Sequence, residues 1–239
     1  MLIGLPVRLL ALLPLLAAPP TLSHAAEWRL PPPGAAGWEP LTFPKVARHT
    51  RYTPLRIDGR AAVRAEADCS ASALVYELNE FDLRAYPRLS WDWRVDVPLD
   101  LEHVRVKAGD DFAARVYVLF EYRPGRASVW ERLRRSTLEV LLRIELPGNA
   151  LNYVWTAAEP RGAIWPNPYT AASRMLSLGA GEPGRWRHEE VNVAGDYERA
   201  FSEPPPAAVA VALMSDSDDS CQKARAFFAG LHFGPRPVQ

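Results

Sequence analysis

The chain is short of the residues that most often carry chemistry. It holds 239 residues with two cysteines, three methionines and five histidines, and its charges cancel, 28 Lys and Arg against 28 Asp and Glu. A cancelled charge excludes a nucleic-acid binder that works through a basic face. Cys69 and Cys221 are too few and too distant in sequence to suggest a zinc site. The histidines after residue 26, His49, His103, His188 and His232, stand singly. No G-x-S-x-G, H-E-x-x-H or G-x-x-x-x-G-K-[ST] string occurs. The sequence therefore advertises no nucleophile elbow, zinc-protease helix or phosphate-cradling loop.

Long apolar runs are also missing. The run LLALLPLLAA at residues 9–18 is interrupted by Pro14 and covers about half of the ~20 residues needed to span a bilayer. Arg8 precedes it, and Ser23-His24-Ala25 follows with small residues at the −3 and −1 positions. Residues 1–26 therefore read as a signal peptide cleaved after Ala25 or Ala26. The expectation is a periplasmic or secreted protein with no membrane span after cleavage. In an oxidising compartment an even cysteine count permits a bridge, so a Cys69–Cys221 disulfide is expected, the alternative being two unpaired thiols.

What is present is proline, tryptophan and alternation. The chain carries 23 Pro and eight Trp, which suits a loop-rich β protein. Residues 27–40 (EWRLPPPGAAGWEP) form a Pro-rich lead-in, and residues 41–239 read as a single β-sandwich domain. Asp58-Gly59 between two strand-like runs signals a hairpin. In RLSWDWRVDV, Leu89, Trp91, Trp93 and Val95 alternate with Ser90, Asp92, Arg94 and Asp96, which predicts one core face and one polar face. Residues 112–122 repeat the pattern, setting Ala114, Val116, Val118 and Phe120 against Arg115, Tyr117 and Glu121. Further strands are expected at 151–156, 173–178, 189–193, 209–214 and 224–233, with one helical insertion around 128–145. Many short strands with Gly and Pro turns predict an all-β, two-sheet antiparallel sandwich of jelly-roll type.

Several strings then line up in order: LSWDWRV at 89–95, GDDFAARVYVLF at 109–120, LNYVW at 151–155, VNVAGDYERAF at 191–201 and ALMSDSDDS…ARAFFAGLHF at the C-terminus. Together they resemble bacterial exported proteins of the domain-of-unknown-function family 3047. The resemblance implies an envelope or secreted protein and assigns no activity. The family's closing phrase has Asn-Thr where this chain has Asp219-Ser220, and Asp-Ile where it has Gly230-Leu231. More distantly, the paired-Trp strand and the aromatic last strand look like jelly-roll carbohydrate-binding modules, a likeness of fold, which does not fix function.

Three constellations carry candidate chemistry. Asp216, Asp218 and Asp219 in SDSDD have the oxygen ligands calcium prefers, but Cys221 and Phe227 stand where an EF-hand needs Gly and Glu. The stretch therefore reads first as a turn cap, with a calcium site as the alternative and no cofactor expected otherwise. Asp110-Asp111 next to Arg115 reads as a structural clamp, a ligand-binding group or, with Glu121, a glycosidase pair. Trp165, in the Pro-rich loop AIWPNPY, stacks on a sugar or packs under a loop. The leading expectation is a non-enzymatic ligand-binding sandwich for carbohydrate or another envelope polymer. Asp92, Arg94, Asp111, Arg115, Tyr117, Asn152 and Trp165 would supply the binding groups, converging on one polar groove. The alternatives are a glycan-acting hydrolase using Asp111 and Glu121, or an envelope structural or assembly protein.

Overall fold

The computed structural model describes residues 27–79, 81–123 and 148–235. Both the expected signal peptide and the expected helix around 128–145 lie outside them. The described residues form thirteen strands in two sheets. In chain order these are β1 (Trp28–Arg29), β2 (Trp38–Leu41), β3 (Arg51–Ile57), β4 (Arg60–Asp68), β5 (Ala71–Glu77), β6 (Arg88–Val97) and β7 (Arg115–Phe120). Then come β8 (Ala150–Val154), β9 (Ile164–Pro166), β10 (Ser173–Ser177), β11 (Arg187–Asn192), β12 (Ala208–Asp216) and β13 (Lys223–Gly234). One sheet, sheet A, runs β11-β6-β13-β4-β3, with β1 also paired to β13. Sheet B runs β2-β5-β12-β7-β8-β10-β9. Every pairing is antiparallel except β8 with β10.

The connectivity is that of a jelly roll. Eight strands make its two four-stranded halves, β4-β13-β6-β11 and β5-β12-β7-β8. The chain crosses from one half to the other at each step except β7 to β8, which pair within sheet B. The core lies between the sheets. Leu89, Trp91, Trp93 and Val95 of β6 meet Val116, Val118 and Phe120 of β7, with Leu151 and Tyr153 of β8. Trp91 stacks edge-on against Trp93, and Trp93 against Trp155. The period-2 pattern placed these faces correctly because both strands have a hydrophobic side that must be buried.

Beyond the short strands β1, β2 and β9, which fall where a Pro-rich lead-in and a Pro-rich loop are expected, a helix went unforeseen. After β11 the chain turns into a helix, α1 (Val193–Phe201), where the alternation had suggested only the end of a strand. Asn192 caps it, its Oδ1 accepting from Gly195 N at 3.1 Å. Tyr197 and Val193 drop from the helix into the core.

The two outer faces differ. Sheet B is roofed by loops: Val104 and Phe112, from the β6–β7 connection, pack with Val154, Trp165 and Met175. Phe43 and Val46, from the β2–β3 connection, cover Ala73, Ala212 and Met214. The apolar roof has no counterpart on the outer face of sheet A among the described residues, where the outward side chains are mainly charged.

Candidate functional site

The roof over sheet B encloses a charged centre. Arg115 points outward from β7, as alternation requires, yet it is only 2% exposed. Its Nε donates to Asp216 Oδ1 at 2.7 Å, and its Nη2 donates to Asp216 Oδ2 and to the carbonyl of Asp110. Its Nη1 donates to Tyr117 Oη at 3.2 Å and lies 3.5 Å from Asp110 Oδ1. Asp216 is the last residue of β12 and also accepts from Phe112 N at 3.2 Å. The pair thus ties β7, β12 and the loop before β7 together. Gly109 shapes that loop, because a Cβ there would lie 2.0 Å from the carbonyl oxygen of His103.

The acidic stretch behaves differently from a solvated turn. Asp111 caps it from outside, accepting from Asp219 N at 3.3 Å and from Ser220 N at 2.6 Å. Tyr169 Oη donates to the Asp219 carboxylate at 2.8 Å. The expected cap is therefore reversed: a carboxylate from another loop holds the turn, and Asp216 is a buried ion-pair partner. The reason is position, since Asp216 ends a central strand under the roof while Asp218 and Asp219 stand at the exposed turn. Oxygens of Asp111, Asp216 and Asp218 lie within 4.8 Å of one another, so among the described residues these three could hold a cation, with Asp111 in place of Asp219.

Burial sets the electrostatics here. It pushes the carboxyls of Asp110 and Asp216 upward, against the pull of the Arg115 guanidinium, and raises Asp218 as well. Burial also works against the charge on Arg115, but Asp216, Tyr117 and Asp110 outweigh it and hold the guanidinium above its usual range. The Tyr117 hydroxyl is pushed up to about 12, chiefly by burial.

The expected polar groove is divided by the sandwich. Arg115, Tyr117, Asn152 and Trp165 lie on the outer side of sheet B, with Asp111, Asp216, Asp218 and Asp219 at its end. Asp92 and Arg94 lie on the outer side of sheet A. Alternation gives the face of each strand but not the sheet it joins, and β6 and β7 joined different sheets. The roof also removes Asn152 and Trp165 from contact with a ligand: Asn152 is fully buried against Met175, and Trp165, 3% exposed, packs under the loop. Glu121 follows β7 at the Ala207 end of β12, its N–H donating to Ala207 O, while Asp111 sits at the Asp216 end. A nine-residue strand separates them, about 26 Å at 3.3 Å per residue. That far exceeds the ~5–9.5 Å a glycosidase pair requires.

The outer face of sheet A carries the open constellation. Ala62, Ala229 and Asp92 lie side by side across β4, β13 and β6, with His188 next on β11. The neighbouring row holds Arg64, Phe227 and Arg94. Gly230, at φ +66°, breaks the regular pairing of β13, and a Cβ there would lie 3.5 Å from Asp92 Oδ2. Arg60 Nε reaches Asp92 Oδ2 at 3.3 Å, and His188 Nδ1 shares a hydrogen bond with Asp92 Oδ1 at 2.9 Å. Arg94 donates from Nε to Asp96 Oδ1 at 2.6 Å and from Nη1 to Asp58 Oδ2 at 3.1 Å. Hydrogen bonding to Asp96 raises its pKa. Trp186 Nε1 donates to Asp58 Oδ2 at 2.9 Å, and its ring lies 5.1 Å from Arg60 and 6.3 Å from the Phe227 ring. Sequence reasoning missed Arg60, Trp186 and His188. They are separated from their partners by 32, 128 and 96 residues, and Trp186 follows a Pro-Gly turn that carries no periodic signal.

No curated protein matches the sequence. Among solved structures, the chain is similar to the family 11 carbohydrate-binding module from Clostridium thermocellum in complex with a beta-1,3-1,4-mixed-linked tetrasaccharide. That match has 9% identity and a TM-score of 0.44, covering 89% of this chain and 98% of that one. It is also similar to the xyloglucanase domain of NopAA, a type three effector from Sinorhizobium fredii, in complex with cellobiose. Here identity is 9% and the TM-score 0.42, over 90% of this chain and 100% of that one. Residues 36–232 match the model of the family described as protein of unknown function (DUF3047), and the chain belongs to that family.

Proposed function

We propose that the protein is an exported, non-catalytic carbohydrate-binding sandwich whose binding surface is the outer face of sheet A. One observation carries the reading: the roof seals the polar residues of sheet B, while sheet A keeps its charged outward groups accessible and sets the half-buried indole of Trp186 among them. A face serving only as scaffold would carry polar residues without aromatic ones. Trp186, half-buried beside the buried Phe227 ring, offers an apolar ring face, and Arg60, Asp92, Arg94 and His188 offer donors and acceptors around it, the combination that recognises a sugar. Each of the main carboxylates is engaged with a cation, Asp92 with Arg60 and Asp58 and Asp96 with Arg94, which supports binding over acid–base work. Export is supported by the signal-peptide reading and by the Cys69–Cys221 disulfide.

The test is affinity electrophoresis of the mature protein in gels containing neutral polysaccharides. Retardation by at least one polymer, lost in Trp186→Ala and weakened in Asp92→Ala, is the expected result. Wild-type mobility in every gel, or retardation unchanged in both variants, overturns the reading.

A further inference from the structure

Beside the disulfide, where β4 ends and β13 begins, lies a surface groove of about 430 Å³. Arg48, Arg51, Lys223 and Arg225 line it together with only two acids, Glu66 and Asp68. Both acids are shared. Asp68 Oδ2 lies 3.5 Å from Arg48 and 3.2 Å from Lys223, and Glu66 lies 3.3 Å from Arg225 and 3.2 Å from Arg64. Arg51 stands opposite Glu66 in the β3–β4 register and forms no ion pair with a described residue. Five cations therefore crowd two carboxylates on a protein whose total charge cancels. Charges this close lie within one screening length, about 8 Å at physiological salt, so their mutual repulsion is not removed by the solvent.

We propose that this groove binds the anionic substituents, carboxylate or sulfate, of an acidic glycan. The proposal deepens the carbohydrate-binding reading of sheet A and rests on it for the polymer's path. An anion in the groove relieves the repulsion, and guanidinium forks suit the paired oxygens of a carboxylate or sulfate. The groove is built before the ligand arrives. Cys69 N donates to Gln222 O at 3.1 Å beside the disulfide, and Ala71 N donates to Arg48 O at 3.1 Å, fixing the segment that presents Arg48. A rigid site loses less on binding. The groove is also continuous with the open face: Glu66 and Arg225 lie outward on β4 and β13, one row from Arg64, Phe227 and Arg94. From Arg225 to Ala229 the strand runs about 13 Å at 3.3 Å per residue. A short glycan segment can therefore lie on the aromatic part while its charged substituent enters the groove.

The experiment compares polymers that differ only in charge: polygalacturonate against its methyl ester, and dextran sulfate against dextran. Binding to immobilised polymer is measured for wild type, Arg51→Gln/Arg225→Gln, Trp186→Ala, and a control, Arg29→Gln/Arg185→Gln. The control removes two exposed charges elsewhere. Expected is a loss of about tenfold in affinity for one charged polymer in the groove variant, the size of two partly exposed charged contacts. Neutral-polymer binding stays intact, and the control binds as wild type. The inference is overturned if wild type binds charged and neutral forms equally, binds neither charged polymer, or is weakened as much by the control as by the groove variant. The sheet A reading fails separately. If Trp186→Ala leaves every affinity unchanged while the groove variant loses the charged polymer, the anion groove stands and the aromatic platform does not. Thermal melts of each variant establish that the fold is retained.

Discussion

A single buried cation decides much of the local order in this sandwich. Arg115 has no access to water, so its charge is compensated by Asp216 through two hydrogen bonds and by the carbonyl of Asp110. Removing one partner of such a pair leaves the other charge stranded, which costs about 3–5 kcal/mol, whereas replacing both with apolar groups costs far less. Asp216→Ala is expected to fall in that range by urea denaturation. Arg115→Met on the Asp216→Ala background is expected to recover part of the loss. Simple addition of the two single losses in a double-mutant cycle would mean that the pair does not act as a unit. Alternation in the sequence correctly placed Arg115 on the outward face. It could not reveal the roof, because Val104 and Phe112 lie in an irregular connection and Trp165 in a three-residue strand, too short to show a period.

At the scale of elements, β6 was legible to the residue, since ten residues alternate without interruption and one face had to be buried. The β11–α1 junction was not. Asn192 and Gly195 supply a cap, but Val191 and Val193 also continue the strand pattern, and only tertiary packing of Tyr197 settles the helix. At the β12–β13 turn the sequence names the residues but not their partners. Alternation suggests Asp111 for a ligand groove, yet both its oxygens are engaged by the turn's N–H groups, and those of Asp216 by Arg115 and Phe112. A calcium ion at Asp111, Asp216 and Asp218 would have to compete with these bonds. The melting temperature is therefore expected to coincide in millimolar calcium and in chelator. Asp111→Ala is expected to cost about 1–3 kcal/mol, the net contribution of two part-buried hydrogen bonds to a carboxylate. A rise of several degrees in calcium, abolished by Asp218→Ala, would make the three a metal site, because a ligand that binds only the native state stabilises it by mass action.

Over the whole molecule, the two cysteines carry more than their number suggests. Their count permitted a bridge, and the fold explains why it closes: β4 and β13 are neighbours in sheet A, so their adjoining ends bring Cys69 and Cys221 together across 152 residues of sequence. The bridge closes a loop containing most of both sheets and also pins the wall of the cationic groove through Asp68 and Lys223. In the chain-entropy model a loop of this length is worth about 4–5 kcal/mol, because the link restricts the unfolded chain. The Cys69→Ser/Cys221→Ser variant is expected to lose about 2–5 kcal/mol. For a chain of this size that lowers the melting temperature by about 2–4 °C per kcal/mol. The β4–β13 ladder does not depend on the link, and so the double variant should keep its far-ultraviolet spectrum at low temperature. Two freely alkylated thiols in the unreduced protein would contradict the bridge. A variant as stable as wild type would show that the jelly roll closes on packing alone.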